Sequence, residues 1–479
     1  MARQLFNSTE KSNFILNMTE EKYSQLVSYG LSLACFTTAV FAVIPEFADR
    51  LSYSIVSGGL AISGVICMIL ALIGIIKKYI DFKNISLWGF AFMLIWGVIA
   101  LINSYSVSVS FYGFSGRGEG LLALIFYACF FITAMSIKRE KSAEIFINSV
   151  ISAGLLHSIV GLVQVFTGNL SHYKYASVSL KINASSGLAQ SPVFLAMVLT
   201  LSLTASMVTA VMTNNKKRRI FCTVSACMCS FIMMFTYSLV GVTGITIALI
   251  TTGAGLFIKK VPPVRFTVLL SGILPAIIAV MIVNAGLIGN ISTYRLYDGY
   301  TLWWADSYMR LSASGNCLSD NLDLSDTVEV YSYLNNETIG IIKKYPLTGT
   351  GEEQLVYPQL YTNGGLDPEQ SDIADIIALN NNTFDKVYNE YLYTAGTRGI
   401  PSLIALITIL CTVFTGGLQK IRKKPSENTI CLFMMFLSGI IIFFIGCSNI
   451  TFSPVFWSVS GLLVSSCGKK SNHRLTKKA

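Results

Sequence analysis

The chain has 479 residues, of which 53% are hydrophobic and 13% charged, with a formal net charge of +10. A soluble domain carries about 25% charged residues, so this composition and the mean hydropathy of +0.60 exclude an ordinary soluble protein. The basic balance does not call for a nucleic-acid partner, because Lys and Arg collect on the cytoplasmic side of membrane proteins.

A transmembrane helix needs about 20 mostly apolar residues. On that rule the chain is an all-α, multi-pass membrane protein with twelve expected spans. In chain order they lie near 26–44, 54–76, 86–103, 119–137, 145–167, 192–213, 220–238, 239–258, 266–286, 400–418, 429–446 and 452–467. The seventh and eighth are nearly continuous. No cleavable signal peptide is expected, since the first 25 residues are polar and no short apolar stretch with a small-residue cleavage site follows.

Charge tests the orientation. With both termini inside, the inner segments hold 25 of the 35 Lys and Arg, and every inner segment has at least three. That satisfies the positive-inside rule at each inner loop. Acidic residues lean the other way and make the outer face net negative. The organisation expected is nine spans over 1–286, a long outer loop over 287–399, and three spans with a basic cytoplasmic tail over 400–479. Nearly all the cysteines fall within spans, where Cys acts as a small hydrophobe; Cys317 is the clear exception.

The long loop is not of low complexity. Its "YRLYDGYTLWWADSYMRL" stretch has aromatic residues at helical spacing. Trp303 and Trp304 suit either an interfacial helix anchored at the lipid surface or stacking on sugar rings.

Inside the spans, ionisable groups are almost absent; His157, Gln164 and the Thr236–Ser238 cluster are the polar exceptions. Ion-coupled transporters keep charged groups at mid-membrane depth, so this pattern argues against a pump, and His157 reads as a hydrogen-bonded packing residue. The charges able to do chemistry gather at the outer boundary instead: Arg117 and Glu119, Lys174 and Lys181, then Glu352, Glu353, Asp385, Glu390 and Arg398; Lys386 also stands in the charged entrance to the tenth span. A membrane enzyme with charges there suits a substrate whose lipid anchor is in the bilayer and whose polar head is outside.

Four stretches carry a family resemblance: "GFSGRGEGLLALIFY" (113–127), "SSGLAQSPVFLAMVL" (185–199), "YPLTGTGEEQL" (345–355) and "DKVYNEYLYTAGTRGIPSLI" (385–404). Their order, spacing and topology resemble the O-antigen ligase and polymerase family, which includes the Wzy-type polymerases. The resemblance covers most of the chain. It implies glycosyl transfer without metal or cofactor on the outer face of a bacterial plasma membrane. The donor would be a glycan on undecaprenyl diphosphate, and the acceptor a sugar hydroxyl on another lipid-linked glycan or a surface anchor. The "GRGEGL" element resembles the polymerase branch more than the ligases. Membrane lipids, and other polysaccharide-assembly proteins of a capsule or cell wall, would be the partners; no nucleic acid is implied.

Site residues follow from the same motifs. Arg117 and Arg398 would grip the diphosphate, because a guanidinium fork forms paired charge-assisted hydrogen bonds with phosphate; the alternative for each is an interfacial anchor. Glu119 and Asn389 would join them on the substrate. Gly349 and Gly351 permit a tight turn that presents backbone N–H groups, or simply a structural turn. The family's His is replaced here by Tyr388, and ionising a tyrosine at pH 7 costs about 4 kcal/mol. Tyr388 can still orient an acceptor, and Glu390 or Glu353 would serve as base if burial raised its proton affinity. The family arginine near the end of the seventh span is Leu239 here, and the asparagines of the second motif are absent. The chain is therefore a divergent relative, and a non-catalytic binding homologue or a lipid-linked sugar transporter remain as alternatives.

Overall fold

In the computed structural model, residues 18–41, 55–114, 117–167, 185–189, 191–236, 238–259, 262–284, 327–358, 386–423 and 425–465 are described. They are all-helical. The helices are α1 (Glu20–Phe41), α2 (Ile55–Ile76), α3 (Ile85–Ile102), the short α4 (Val107–Tyr112), α5 (Leu121–Met135), α6 (Glu140–Thr167) and α7 (Pro192–Met212). There follow α8 (Lys216–Met234), α9 (Leu239–Lys259), a 3-10 turn (Pro263–Leu269) running into α10 (Leu270–Asn284), α11 (Thr327–Lys344), α12 (Glu390–Lys423), α13 (Glu427–Ile442) and α14 (Ser453–Val464). Each of the twelve apolar stretches read from the sequence contains a helix. Among the described residues, seven helices are long and apolar enough to cross a membrane: α2, α3, α6, α7, α9, the Val264–Ile282 segment and α12. Apolar side chains on the perimeter, such as Ile69, Ile95, Ile278 and Ile404, are exposed, as a lipid-facing surface requires.

The middle of the bundle is α7. Every residue from Pro192 to Met212 is buried, and α6, α8, α9 and α13 surround it. Ser191 caps its start by accepting the Phe194 N–H, and Pro192 occupies the first helical position, where its missing N–H costs nothing. With no apolar driving force between helices in lipid, small residues and hydroxyls do the joining. Ser202 donates to Val150 O at 3.1 Å, and Thr204 and Ser438 share a 2.9 Å hydroxyl bond.

The basic residues meet at one end of the bundle. There Arg139 pairs with Glu21, Arg218 with Glu144 and Lys259 with Glu427. At the opposite end, α12 is broken. Gly399 has φ 79° and ψ 167°, and Pro401 follows; together they separate a short segment starting at Glu390 from the long remainder. Helix breaks at membrane depth persist only where other groups take up the freed backbone. Here a strap over 345–351 does so: Thr350 N–H donates to Gly396 O, Gly351 N–H to Thr397 O, and Ile400 N–H to Pro346 O, at 3.0, 2.9 and 2.8 Å. The fit leaves no room for a side chain, since a Cβ on Gly399 would lie 2.1 Å from Leu347 O.

Gly399→Ala therefore meets both a glycine-only conformation, worth about 1–3 kcal/mol of backbone strain, and a direct clash with the strap. A lowered midpoint of thermal unfolding in detergent is expected, and an unchanged midpoint would show that the strap does not depend on the break.

Candidate functional site

Four separate stretches of chain converge at the broken end of α12. The first is the turn before α5. Gly113 adopts φ 87°, and Phe114 O accepts from both Arg117 N–H and Gly118 N–H, so the chain doubles back and presents Arg117 and Glu119. The second is the strap that ends in Glu352, Glu353 and Gln354. Ser106 N–H donates to Gln354 Oε1 at 3.1 Å, and Glu352 N–H donates to Ser110 Oγ at 3.0 Å; these bonds moor the strap to α4. The third runs from Lys386 into the first turns of α12. The fourth is the turn between α13 and α14 around Ser448, which the sequence reading did not single out.

These stretches place three cations among four carboxylates. Arg117 Nε is 3.1 Å from Glu353 Oε1, while Phe114 N–H donates to the other oxygen at 2.5 Å. Glu353 is fully buried and holds φ 57°, a left-handed conformation uncommon for a residue with a side chain. Lys386 is likewise fully buried. Its ammonium donates to Glu119 Oε2 and to Ser448 O and faces the rings of Phe194 and Tyr393 at 5.0 and 5.5 Å. Arg398 Nε is 3.2 Å from Glu352 Oε1, and its Nη2 is 3.8 Å from Glu390 Oε1. Glu390 Oε2 accepts from both the N–H and the hydroxyl of Ser448, at 2.6 and 2.7 Å.

Glu119, Glu352, Glu390, Tyr393, Arg398 and Ser448 line one cavity, with Tyr127 and Trp457 also in its wall. It has room for about one water molecule. Glu119 stands two residues before α5, outside the helix. Its burial pushes its pKa up to about 7, against the opposing pull of Lys386, with the Glu353 charge adding to the rise. Burial also raises Glu352 above the usual carboxylate range, although Arg398 pulls it down.

The residues expected from sequence divide into two groups. Glu119, Glu390 and Arg398 reach the cavity. Arg117 and Glu353 form the adjoining ion pair. Tyr388 is buried with its ring centroid 6.0 Å from that of Tyr331 on α11, and it is not among the cavity-lining residues. Asn389 accepts from the N–H groups of Tyr391 and Leu392, the bonding of a helix cap. Gly349 and Gly351 have φ of 66° and 96°, and the N–H of Gly351 goes to Thr397 O, so these glycines serve the strap. Lys386, Glu352, Tyr393 and Ser448 were not assigned site roles from sequence. The signal for the first two was their place in the outer charge cluster; nothing local marks the others. His157 is buried and its Nδ1 accepts from Leu188 N–H at 3.2 Å. Gln164 Oε1 accepts from the Ser186 and Gly187 N–H groups. Both polar residues thus hold the turn of the second motif. His172, Lys174, Lys181, Trp303, Trp304, Cys317 and Asp385 lie outside the described residues.

Truncating one partner of a buried ion pair costs about 3–5 kcal/mol, because the other charge is left uncompensated, whereas losing a helix cap costs about 1 kcal/mol. Glu353→Ala is accordingly expected to lower the midpoint of detergent-induced unfolding far more than Asn389→Ala. Equal effects would contradict these two assignments. Comparison with models of known protein families gives no match for this chain, and comparison with curated protein sequences gives none either.

Proposed function

We propose that this protein is a membrane glycosyltransferase that polymerises, or ligates, oligosaccharide repeat units carried on undecaprenyl diphosphate, acting at the outer face of a bacterial plasma membrane. The observation that supports this reading most directly is the convergence of Arg117, Glu119, Glu352, Glu353, Lys386, Glu390 and Arg398 at the end of the bundle opposite the basic belt. Taking so many charges out of water is costly, and a packed apolar end would be cheaper if the bundle only had to fold. In this reading all twelve apolar stretches cross the bilayer, both termini are cytoplasmic, and the cluster meets the lipid-borne diphosphate from outside.

The electrostatics define how a diphosphate would bind. The three cations are outnumbered by four carboxylates, so an incoming diphosphate competes with Glu352 for Arg398 and with Glu353 for Arg117. The planar fork of each guanidinium suits either partner. The second reading, a non-catalytic binding homologue, draws on one observation: Tyr388, at the position of the family His, stands away from the cavity.

A strain lacking the gene is expected to accumulate lipid carrier bearing single repeat units or unattached polymer. Complementation by Arg398→Ala should leave that accumulation in place, while Lys83→Ala, at the basic end, should clear it. A normal carrier pool and polymer length in the deletion strain would end the glycosyl-transfer reading. Wild-type polymer from Arg398→Ala, Glu119→Gln and Glu390→Gln alike would instead select the binding homologue. Orientation is tested in a background whose native cysteines are replaced by serine: Asn336→Cys should react with an impermeant maleimide on intact cells, and Lys217→Cys only after permeabilisation.

A further inference from the structure

We propose that Glu119 is the proton acceptor for the sugar hydroxyl that attacks the donor, and that the Tyr393 hydroxyl is the second anchor of that same group; the proposal rests on the glycosyl-transfer reading above. The geometry starts from the unpaired polar atoms of one cavity. Glu119 Oε1 and Tyr393 Oη are buried and make no hydrogen bond among the described residues, Tyr127 Oη in the same wall is likewise unpaired, and all three side chains line the same cavity. Buried polar atoms are nearly always paired, so such atoms beside one small cavity mark a place for a polar ligand. The space has room for about one water molecule, the size of a single hydroxyl group.

Of the neighbouring carboxylates, Glu352 faces Arg398 Nε at 3.2 Å, and the other two are held by hydrogen-bond donors. Glu390 holds the Ser448 N–H and hydroxyl on one oxygen and accepts from Thr394 Oγ1 at 3.2 Å on the other. Glu353 is held by Phe114 N–H and Arg117. Glu119 differs: Lys386 secures Oε2 and leaves Oε1 available. Lys386 thereby acts as a positioning residue. The groups that bear on the ionisation of Glu119 are Lys386, Glu353 and Arg117 from the loops, with Tyr127 on α5, Glu352 on the strap, and Glu390, Tyr393 and Arg398 on α12 around the shared cavity. The proton affinity of Glu119 lies near neutrality, where a general base works best.

The step balances without a further reactant. The acceptor hydroxyl oxygen forms a bond to the anomeric carbon of the donor. The bond from that carbon to the diphosphate oxygen breaks, and the diphosphate leaves with the electron pair. The hydroxyl proton passes to Glu119 Oε1.

Two measurements decide it. The first needs no substrate: an infrared pH titration of the purified protein. A protonated carboxyl band is expected to disappear with a midpoint near pH 7 in the wild type and to be missing from Glu119→Gln; an unchanged band in the variant overturns the proposal. The second supplies purified protein with lipid-linked saccharide extracted from the deletion strain and follows glycan extension. Because the base must be ionised, wild-type kcat/KM should rise with pH through about 7, and Glu119→Gln should be at least ~100-fold lower, with that rise abolished. A Glu119→Gln enzyme with wild-type kcat/KM and pH profile sinks the assignment. Should Glu119→Gln leave Lys386 unpaired and fail to fold, Tyr393→Phe takes its place: a shifted infrared midpoint with the pH rise retained is expected, and an unmoved midpoint overturns the shared site. If the wild type extends no saccharide, the glycosyl-transfer reading falls, while the infrared titration still shows whether Glu119 carries the titrating carboxyl.

Discussion

The docking of the 345–351 strap onto the break in α12 is the constraint on which the charged end of this protein depends. An unbroken helix would consume its own backbone groups and offer the strap nothing to hold. The break at Gly399 frees the Gly396 and Thr397 carbonyls and the Ile400 N–H, and the strap takes all three. In doing so it fixes Glu352 and Glu353 opposite Arg398 and Arg117. The ion pairs are thus a consequence of backbone pairing, and their positions are set before any charge is considered.

That order matters energetically. Ion pairs hidden from water contribute little net stability, since desolvation offsets their attraction. They persist here because the surrounding backbone bonds and helix packing hold the groups in place. Glu390 and Arg398 also sit at opposite ends of the short segment before the break, the acid near its N-terminus and the base near its C-terminus, which is the arrangement the helix dipole favours. The result is a cluster whose members are held by different means: Glu353 and Glu390 by backbone N–H donors, Glu119 by a single buried lysine. This difference is what leaves one carboxylate oxygen open beside the cavity.

The helical elements were legible in the sequence because apolar length is a local property. Twenty apolar residues form a helix in lipid whatever their neighbours do. Boundaries were less legible. The sequence places the start of the tenth span at residue 400, yet α12 begins at Glu390: Asn389 caps the polar segment 390–398, and strap N–H groups donate to the carbonyls at its far end. The shorter helices α5, α13 and α14 also fall below the usual spanning length, which sequence windows tend to stretch.

The site was legible only in outline. Amino-acid order by itself determined that the protein is a membrane protein, that its basic residues belong to one end, and that Arg117, Glu119, Glu390 and Arg398 belong to the other; all of these follow from local composition and alternation. Tertiary structure decided which charges pair, because pairing joins positions hundreds of residues apart, as with Lys386 and Glu119. It turned Asn389 into a cap and Gly349 and Gly351 into strap turns, and it left Tyr388 out of the cavity lining. It also brought Ser448 and Tyr393 to the cavity, which no local pattern announced. Proton affinity belongs to the same category, since it is set by burial and by neighbouring charge, and neither exists until the chain has folded.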